Sequence, residues 1–265
     1  MKIEEYLQLI YDGKKEEAEK IRLSTIPDKL IKFIWLDGSE IDNKKFASLK
    51  NEEIWFAQKD ILNDPYEYKG ILINRSKMKI AGYSEEFIDK CQTLLDFSDY
   101  GITCLSGNKI DYLPMWAYYT NNHRGFCIEY DIINKNCIHE VLYEPERIKV
   151  ASLLVNGIED IKKTIVSGKR GQSDFYMTLL LQNLFIKAKS WEHEKEYRIV
   201  YSLNGEKGLN VPIHKLGMKM SRIVVGINCT EDDLLRLNKI SNELGLGNAY
   251  RSRVHPERYT IDFVR

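Results

Sequence analysis

Short runs of β-branched and aromatic residues recur along the whole chain, and they limit its fold more than any other feature. "IKFIWL", "IWFA", "GITCLS", "GFCIEYDI", "CIHEVLYE", "RIVYS", "SRIVVGI", "NAYRSRV" and "RYTIDFV" all have strand length and strand composition. "RIKVASLLV" reads as one more strand, and "GLNVPIH" is expected to pair with strand 197–203 through the Asn204-Gly205 turn. Helical spacing fills the intervals. It covers 2–22, broken at Asp12-Gly13, then "DNKKFASLKN", 84–97, "DYLPMWAYYTNN" with Pro114 in its first turn, and 157–188. "TEDDLLRLNKISNELG" is a capped helix, opened by Thr230 with Asp233 and stopped by Gly245. Interspersed strands and helices, with no repeat and no linker, predict an α+β fold. The expectation is a single domain over 27–265, with a central mixed, largely antiparallel sheet flanked by helices, and an N-terminal helical extension over 1–26. That sheet should hold roughly seven to nine short strands.

Charge and cysteine usage exclude several function classes. The 39 basic residues balance the 39 acidic ones, so the chain has no domain-wide basic field for nucleic acid and only a local patch could serve. The five cysteines are widely spaced and form no CxxC pair, which predicts reduced thiols and a cytoplasmic location. The five histidines form no HExxH, and no carboxylate set has the spacing of a calcium loop, so no dedicated metal site is expected. P-loop, GxGxxG and GxSxG patterns are missing, which argues against a Walker ATPase, a Rossmann dehydrogenase and an α/β-hydrolase. No apolar run approaches ~18 residues, so no membrane partner is expected.

Three short stretches carry the candidate chemistry. In "SWEHEKEYRIV" (190–200), an extended backbone puts Glu194, Glu196 and Arg198 on one face and Tyr197 and Ile199 on the other. Carboxylates at that spacing lie roughly 6 to 7 Å apart at Cβ, raise one another's proton affinity, and are opposed by Arg198. The bland reading is an exposed strand edge carrying charge against aggregation. In "NDPYE" (63–67), Asp64 and Glu67 sit on a turn at a strand end, where ligand groups gather, or where an Asx turn simply ends the strand. In "MWAYYTNNHRGFCIEYD" (115–131), Trp116, Tyr119 and His123 share helical spacing. They make either an aromatic pocket with a histidine proton carrier or two core anchors and a helix stop.

These pieces together resemble the family of bacterial domains of unknown function 2971. "IWFAQKDILNDPYE", "GITCLS", "MWAYYTNNHRGFCIEYD", "VLYE", "KAKSWEHEKEYRIV" and "RIVVGI" follow the family's order from about residue 27 to the end. The resemblance places Asn63, Asp64, Pro65, Glu67, Met115, Trp116, Tyr119, His123, Gly125, Lys187, Trp191, Glu194, Glu196 and Arg198 on motif positions, and it implies a shared pocket. The family's first strand usually offers a Tyr-Lys-Tyr-Arg-like run; here "IKFIWL" keeps Lys32 and lacks the arginine.

Three functions fit that set. The first is a nucleotide-using transferase, similar in layout to ADP-ribosyltransferases, with NAD as substrate. Glu196 would stabilise an oxocarbenium-like state, Glu194 would orient the acceptor, and His123 would carry a proton. Trp116 or Tyr119 would stack on the nicotinamide, while Lys187 or Arg198 would hold the pyrophosphate. Asn63, Asp64, Glu67 and Trp191 would complete the pocket. The second is a metal-dependent nuclease, in which Asp64, Glu67, Glu194 and Glu196 gather Mg²⁺ beside Lys187. The third is a non-catalytic module for a ligand or partner protein, in which Arg198 pairs with Asp64 or Glu67 as a structural network. Residues 2–22 are the candidate surface for a dimer or partner, and the resemblance adds the expectation of a toxin or phage-defence role.

Overall fold

The computed structural model describes residues 3–93, 95–150, 153–168 and 173–265. Its strands are β1 (Lys29–Ile34), β2 (Glu53–Gln58), β3 (Ile71–Ile73), β4 (Tyr100–Ser106), β5 (Phe126–Ile132), β6 (Ile138–Glu140) and β7 (Leu142–Glu144). The chain continues with β8 (Ile148–Val150), β9 (Ile186–Ala188), β10 (Glu196–Ser202), β11 (Gly208–Pro212), β12 (Met218–Val225), β13 (Tyr250–Val254) and β14 (Ile261–Val264). The helices are α1 (Ile3–Tyr11), α2 (Lys15–Ser24), α3 (Ile41–Lys50), α4 (Arg75–Ile80), α5 (Glu85–Thr93), α6 (Leu113–Tyr119), α7 (Leu153–Ser167), α8 (Ser173–Leu181) and α9 (Glu231–Glu243).

The expected α+β architecture is present. A ten-stranded sheet runs β11-β2-β4-β1-β5-β12-β13-β14, with β10 pairing β4 and carrying β6 on its other edge. Its ladders are antiparallel except β12 with β13, which α9 connects as a strand–helix–strand unit. Two parallel ribbons, β3-β8 and β7-β9, lie apart from it. Thr230 caps α9, accepting from the Asp233 N–H at 3.2 Å.

Four sequence expectations need correction. "RIKVASLLV" is a strand only over β8: α7 opens at Leu153, and 151–152 lie outside the described residues. "GLNVPIH" does not pair with β10: as β11 it pairs with β2. The Asn204-Gly205 turn does form with both φ angles positive, but Asp99 accepts from the Leu203 and Gly205 N–H groups and draws the chain across the end of β4. β2 lies there, on the opposite edge of β4 from β10. "CIHEVLYE" is two strands broken at Val141, whose N–H turns to Glu196 O at 2.9 Å. The helical reading of 157–188 ends early: α8 stops at Leu181, a 3-10 turn covers Gln182–Leu184, and β9 follows. Part of that reading, 169–172, lies outside the described residues.

The two sheet faces differ. One is covered by α3 and α9 over a continuous apolar core that includes Leu30, Phe46, Leu49, Ile128, Ile199, Leu237 and Ile240. The other carries separate apolar patches. One surrounds Trp116, Cys127 and Val224, and another surrounds Ile102, Leu184 and Phe185. Polar motif residues lie on this second face. α1 and α2 pack against α8, with Tyr11 edge-on to Phe175 at 5.3 Å, and a groove of about 270 Å³ is lined there by Tyr6, Ile10, Glu19 and Met177. Arg22 of α2 fixes this pair to the sheet by donating to Ile138 O at 2.5 Å and Asn136 O at 3.0 Å.

Candidate functional site

β10 is a period-two strand, so Glu196 and Arg198 share a face while Tyr197 and Ile199 turn into the main core. Glu194 arrives differently. The residues before β10 form a 3-10 turn (Lys189–Glu194), and Lys195 takes a left-handed φ of 45°. The predicted extended run therefore begins only at Glu196. The kink still brings both carboxylates onto one ammonium: Lys187 Nζ is 2.5 Å from Glu194 Oε2 and 2.8 Å from Glu196 Oε2. Lys187 stands on β9 opposite Tyr143 of β7, whose hydroxyl accepts the Glu196 N–H at 2.8 Å.

Arg198 closes the cluster on its inner side. Nε donates to Glu196 Oε1 at 2.6 Å, one terminal nitrogen to Glu67 Oε1 at 2.7 Å, and the other to Leu184 O at 2.7 Å. Arg198 is 0% exposed and Glu196 only 3%. Glu67 reaches this point because the 63–67 turn is fastened from below by Asn183. Its amide donates to Tyr68 O at 2.6 Å and Leu95 O at 3.1 Å, and accepts from the Ile71 N–H at 2.9 Å. Lys187 lies 4.0 Å from Glu67 Oε1, so three carboxylates surround two cations.

The outer side leads to solvent. Tyr119 of α6 donates its hydroxyl to Glu194 Oε1, and the exposed Asn63 donates to Tyr119 Oη at 3.1 Å. Trp191 covers Lys187, with Nζ 4.9 Å from its ring centre. His193 stacks on Trp191 at 6.2 Å, and Tyr118 meets His193 edge-on at 6.1 Å. An aromatic ladder thus runs from the surface to the buried ammonium.

Burial and charge divide the carboxylates. Burial alone would raise Glu196, but Arg198 and Lys187 outweigh it and hold this carboxyl far below the usual range. Burial wins at Glu67 over Arg198, and at Glu194 over Lys187, so both are pushed up. Lys187 loses by burial and gains more from Glu196 and Glu194, and its ammonium is raised. Burial and the Glu194 charge raise the Tyr119 phenol. Glu196, held down by two cations, and the equally buried Glu194, pushed up beside Tyr119, are environments pushed apart, as in acid–base pairs.

The structure therefore joins Asn63, Glu67, Tyr119, Lys187, Trp191, Glu194, Glu196 and Arg198. Arg198 pairs with Glu67 and Glu196, and Asp64 takes no part in that pairing. Asp64 instead makes an Asx turn, accepting the Tyr66 N–H at 2.8 Å. Trp116 is 0% exposed and donates to Ile110 O at 2.6 Å, so it is a core anchor and not a stacking surface. His123 stacks on Trp116 at 6.2 Å, and burial lowers its proton affinity. It makes none of the cluster's hydrogen bonds among the described residues. Sequence reasoning missed Tyr118, Tyr143, Asn183 and His193. Tyr118, Tyr143 and His193 lie inside quoted motifs, "MWAYYTNNHRGFCIEYD", "VLYE" and "KAKSWEHEKEYRIV", and could have been found there.

Among the described residues no three carboxylate, histidine or cysteine side chains form a metal-binding group, and the Lys187 ammonium stands at the centre of the carboxylates. No helix among them is long and apolar enough to cross a membrane. Residues 115–199 match the model of a family described as "Protein of unknown function (DUF2971)". The resemblance drawn from the motifs holds over that segment, about a third of the chain, which carries Tyr119, Lys187, Glu194, Glu196 and Arg198. "NDPYE" and "RIVVGI" lie outside it. No curated protein and no solved structure matches the chain.

Proposed function

We propose that this chain is an acid–base enzyme acting on a nucleotide-like small molecule, with Glu194 as its working carboxylate and NAD⁺ as the first substrate to test. One observation carries the reading: a chain of polar contacts runs from the exposed Asn63 through Tyr119 and Glu194 to Lys187, and so to the buried Glu196–Arg198–Glu67 group. Clusters of perturbed groups reached from the surface are where enzymes place their acids and bases. The ladder of Trp191, His193 and Tyr118 offers a face for a flat ring. In the reaction envisaged, the ribose C–N bond breaks and nicotinamide leaves with its electron pair. An acceptor hydroxyl or water forms the new C–O bond and gives its proton to Glu194. Glu196 is as buried as Glu194 but is bonded to two cations where Glu194 is bonded to one and to the Tyr119 phenol, so in this reading Glu196 fixes Lys187 and Arg198 and Glu194 takes the proton.

A second reading rests on that enclosure: a saturated ion network also suits a non-catalytic binding module. The nuclease reading gains no support, because an ammonium takes the place a cation would need. Mass spectrometry of NAD⁺ incubated with the full chain, acceptor RNA, DNA and cell extract separates the two that remain. Nicotinamide release by wild type, and none by Glu194→Gln or Tyr119→Phe, is the expected result. Intact NAD⁺ with all three proteins removes the enzyme reading and leaves binding. A toxin or phage-defence role belongs to the same proposal. Growth arrest on expression of wild type, relieved by Glu194→Gln, is its expected sign.

A further inference from the structure

Buried polar atoms normally find partners; among the described residues a few do not, some of them away from the site, at Arg222 and Ser241, and three of them within it. Asp64 Oδ2, Glu67 Oε2 and His193 Nε2 are all buried without a hydrogen-bond partner, and all lie on the two segments that build the site. Asp64 and Glu67 are 4% and 5% exposed. All three atoms are acceptors. The carboxylate oxygens accept by nature, and Nδ1 of His193 faces Ser190 O at 3.1 Å, which puts the hydrogen of the neutral ring on Nδ1 and leaves Nε2 as a lone pair. The cluster's two cations, meanwhile, are already bonded to carboxylates, Lys187 to Glu194 and Glu196, and Arg198 to Glu196 and Glu67. The cluster sets three carboxyl groups against two cations, and Asp64 places a fourth on the same turn as Glu67.

We infer that the site reads donors: it takes a flat ring bearing positive charge or N–H groups, met by Glu67, Asp64 and His193, and it does not take a phosphate through Lys187 or Arg198. This deepens the enzyme reading and rests on it for the identity of the site. A cationic ring stacked on the Trp191–His193 ladder gains from the aromatic faces as well as from the carboxylates. A phosphate would have to break a buried ion pair before finding a cation. In NAD⁺ the ring with this character is the nicotinamide, and its pyrophosphate would stay outside the cluster.

Calorimetric titration of the full chain with three matched pyridines tests this: the N-methylnicotinamide cation, neutral nicotinamide and the nicotinate anion. The expected order of affinity is cation, neutral, anion, with at least about a tenfold gap between the first and last. His193→Phe keeps a ring in the ladder and Glu67→Gln removes a charge; either should narrow that gap. Should Glu67→Gln fail to fold, the wild-type series and His193→Phe still decide. Nicotinate binding as tightly as the cation overturns the inference, and so does an unchanged gap in His193→Phe. Turnover of NAD⁺ without binding of any pyridine overturns the donor-reading site and leaves the enzyme standing. Binding of the cation with no turnover supports the donor-reading site and removes only the enzyme.

Discussion

Two glutamates separated by one residue do opposite work, and their substitution should show it. Glu196 accepts from Lys187 and Arg198 inside a 3%-exposed niche, and removing its charge takes a partner from two buried cations at once, leaving Lys187 with Glu194 and Arg198 with Glu67. Breaking a buried ion pair from one side typically costs 3 to 5 kcal/mol. Glu196→Gln is therefore expected to lose about 3 kcal/mol in urea unfolding. Glu194 is already pushed toward its neutral form and holds one cation where Glu196 holds two, so Glu194→Gln, whose amide oxygen can still accept from Lys187, should cost less than Glu196→Gln, about 1 kcal/mol. Equal losses would make both residues structural and would favour the non-catalytic module. The alternation of Glu196 and Arg198 was legible because a strand's period is two. The meeting of Glu67 with Arg198 was not, since 131 residues separate them and local pattern carries no information on that scale. Trp116 shows the opposite failure: helical spacing grouped it with Tyr119, but only tertiary packing decides that its ring enters the core.

At the level of elements, the site depends on a joint, the left-handed Lys195 between the 3-10 turn and β10. That single conformation swings Glu194 back toward Lys187 while Glu196 enters the sheet, and Lys195 O accepts the Gly107 N–H at 2.8 Å to lock the joint against β4. A left-handed conformation costs an L-residue about 1 to 2 kcal/mol and a β-branched one more, whereas glycine adopts it freely. Lys195→Gly should leave thermal stability nearly unchanged. Lys195→Val should cost about 2 kcal/mol and uncouple Glu194 from Lys187, which chemical shifts of the Lys187 ammonium would report. A valine variant as stable as wild type would mean that the joint bears no strain. Nothing in "EHEKEYR" marked this residue, because a lysine in a left-handed turn carries no compositional sign. Turn chemistry was legible where glycine carried it, at Asp12-Gly13, Asn204-Gly205 and Gly245. Even there the Asn204-Gly205 turn did not reveal which strand the chain would join, as the pairing of β11 with β2 was set by the Asp99 anchor.

Across the whole molecule, the stability of this fold should depend on pH through a residue on the strand beside the motif glutamates, outside their hydrogen-bond cluster. β6 is the strip that joins the N-terminal helices to the site: Arg22 of α2 donates to Ile138 O on one side, and β6 pairs with β10 on the other. His139, in the middle of β6, lies opposite Arg198 in register and stacks on Phe185 with ring centres 4.3 Å apart. Burial, and then the charge of Arg22, lower its pKa from 6.5 to about 4, with Glu19 opposing weakly. A depressed folded pKa contributes stability above the unfolded value and forfeits it as pH falls through the folded one. The His139 contribution is thus complete above about pH 6.5, declines below it and is gone near pH 4, worth up to about 3 kcal/mol over that span. Glu67 and Glu194, whose folded pKa values are raised, work in the other direction and gain stability as pH falls. The two effects are separated by difference. His139→Phe cannot titrate, so the stability of wild type minus that of the variant should shrink steadily from pH 7 to pH 4 in urea unfolding. Because β6 joins α2 to β10, the loss should appear together in the fluorescence of Trp191 and in proteolysis of the α1–α2 segment. A difference that stays flat across that range would mean that His139 is free to protonate in the folded chain, and that β6 is not the strip through which acid loosens it.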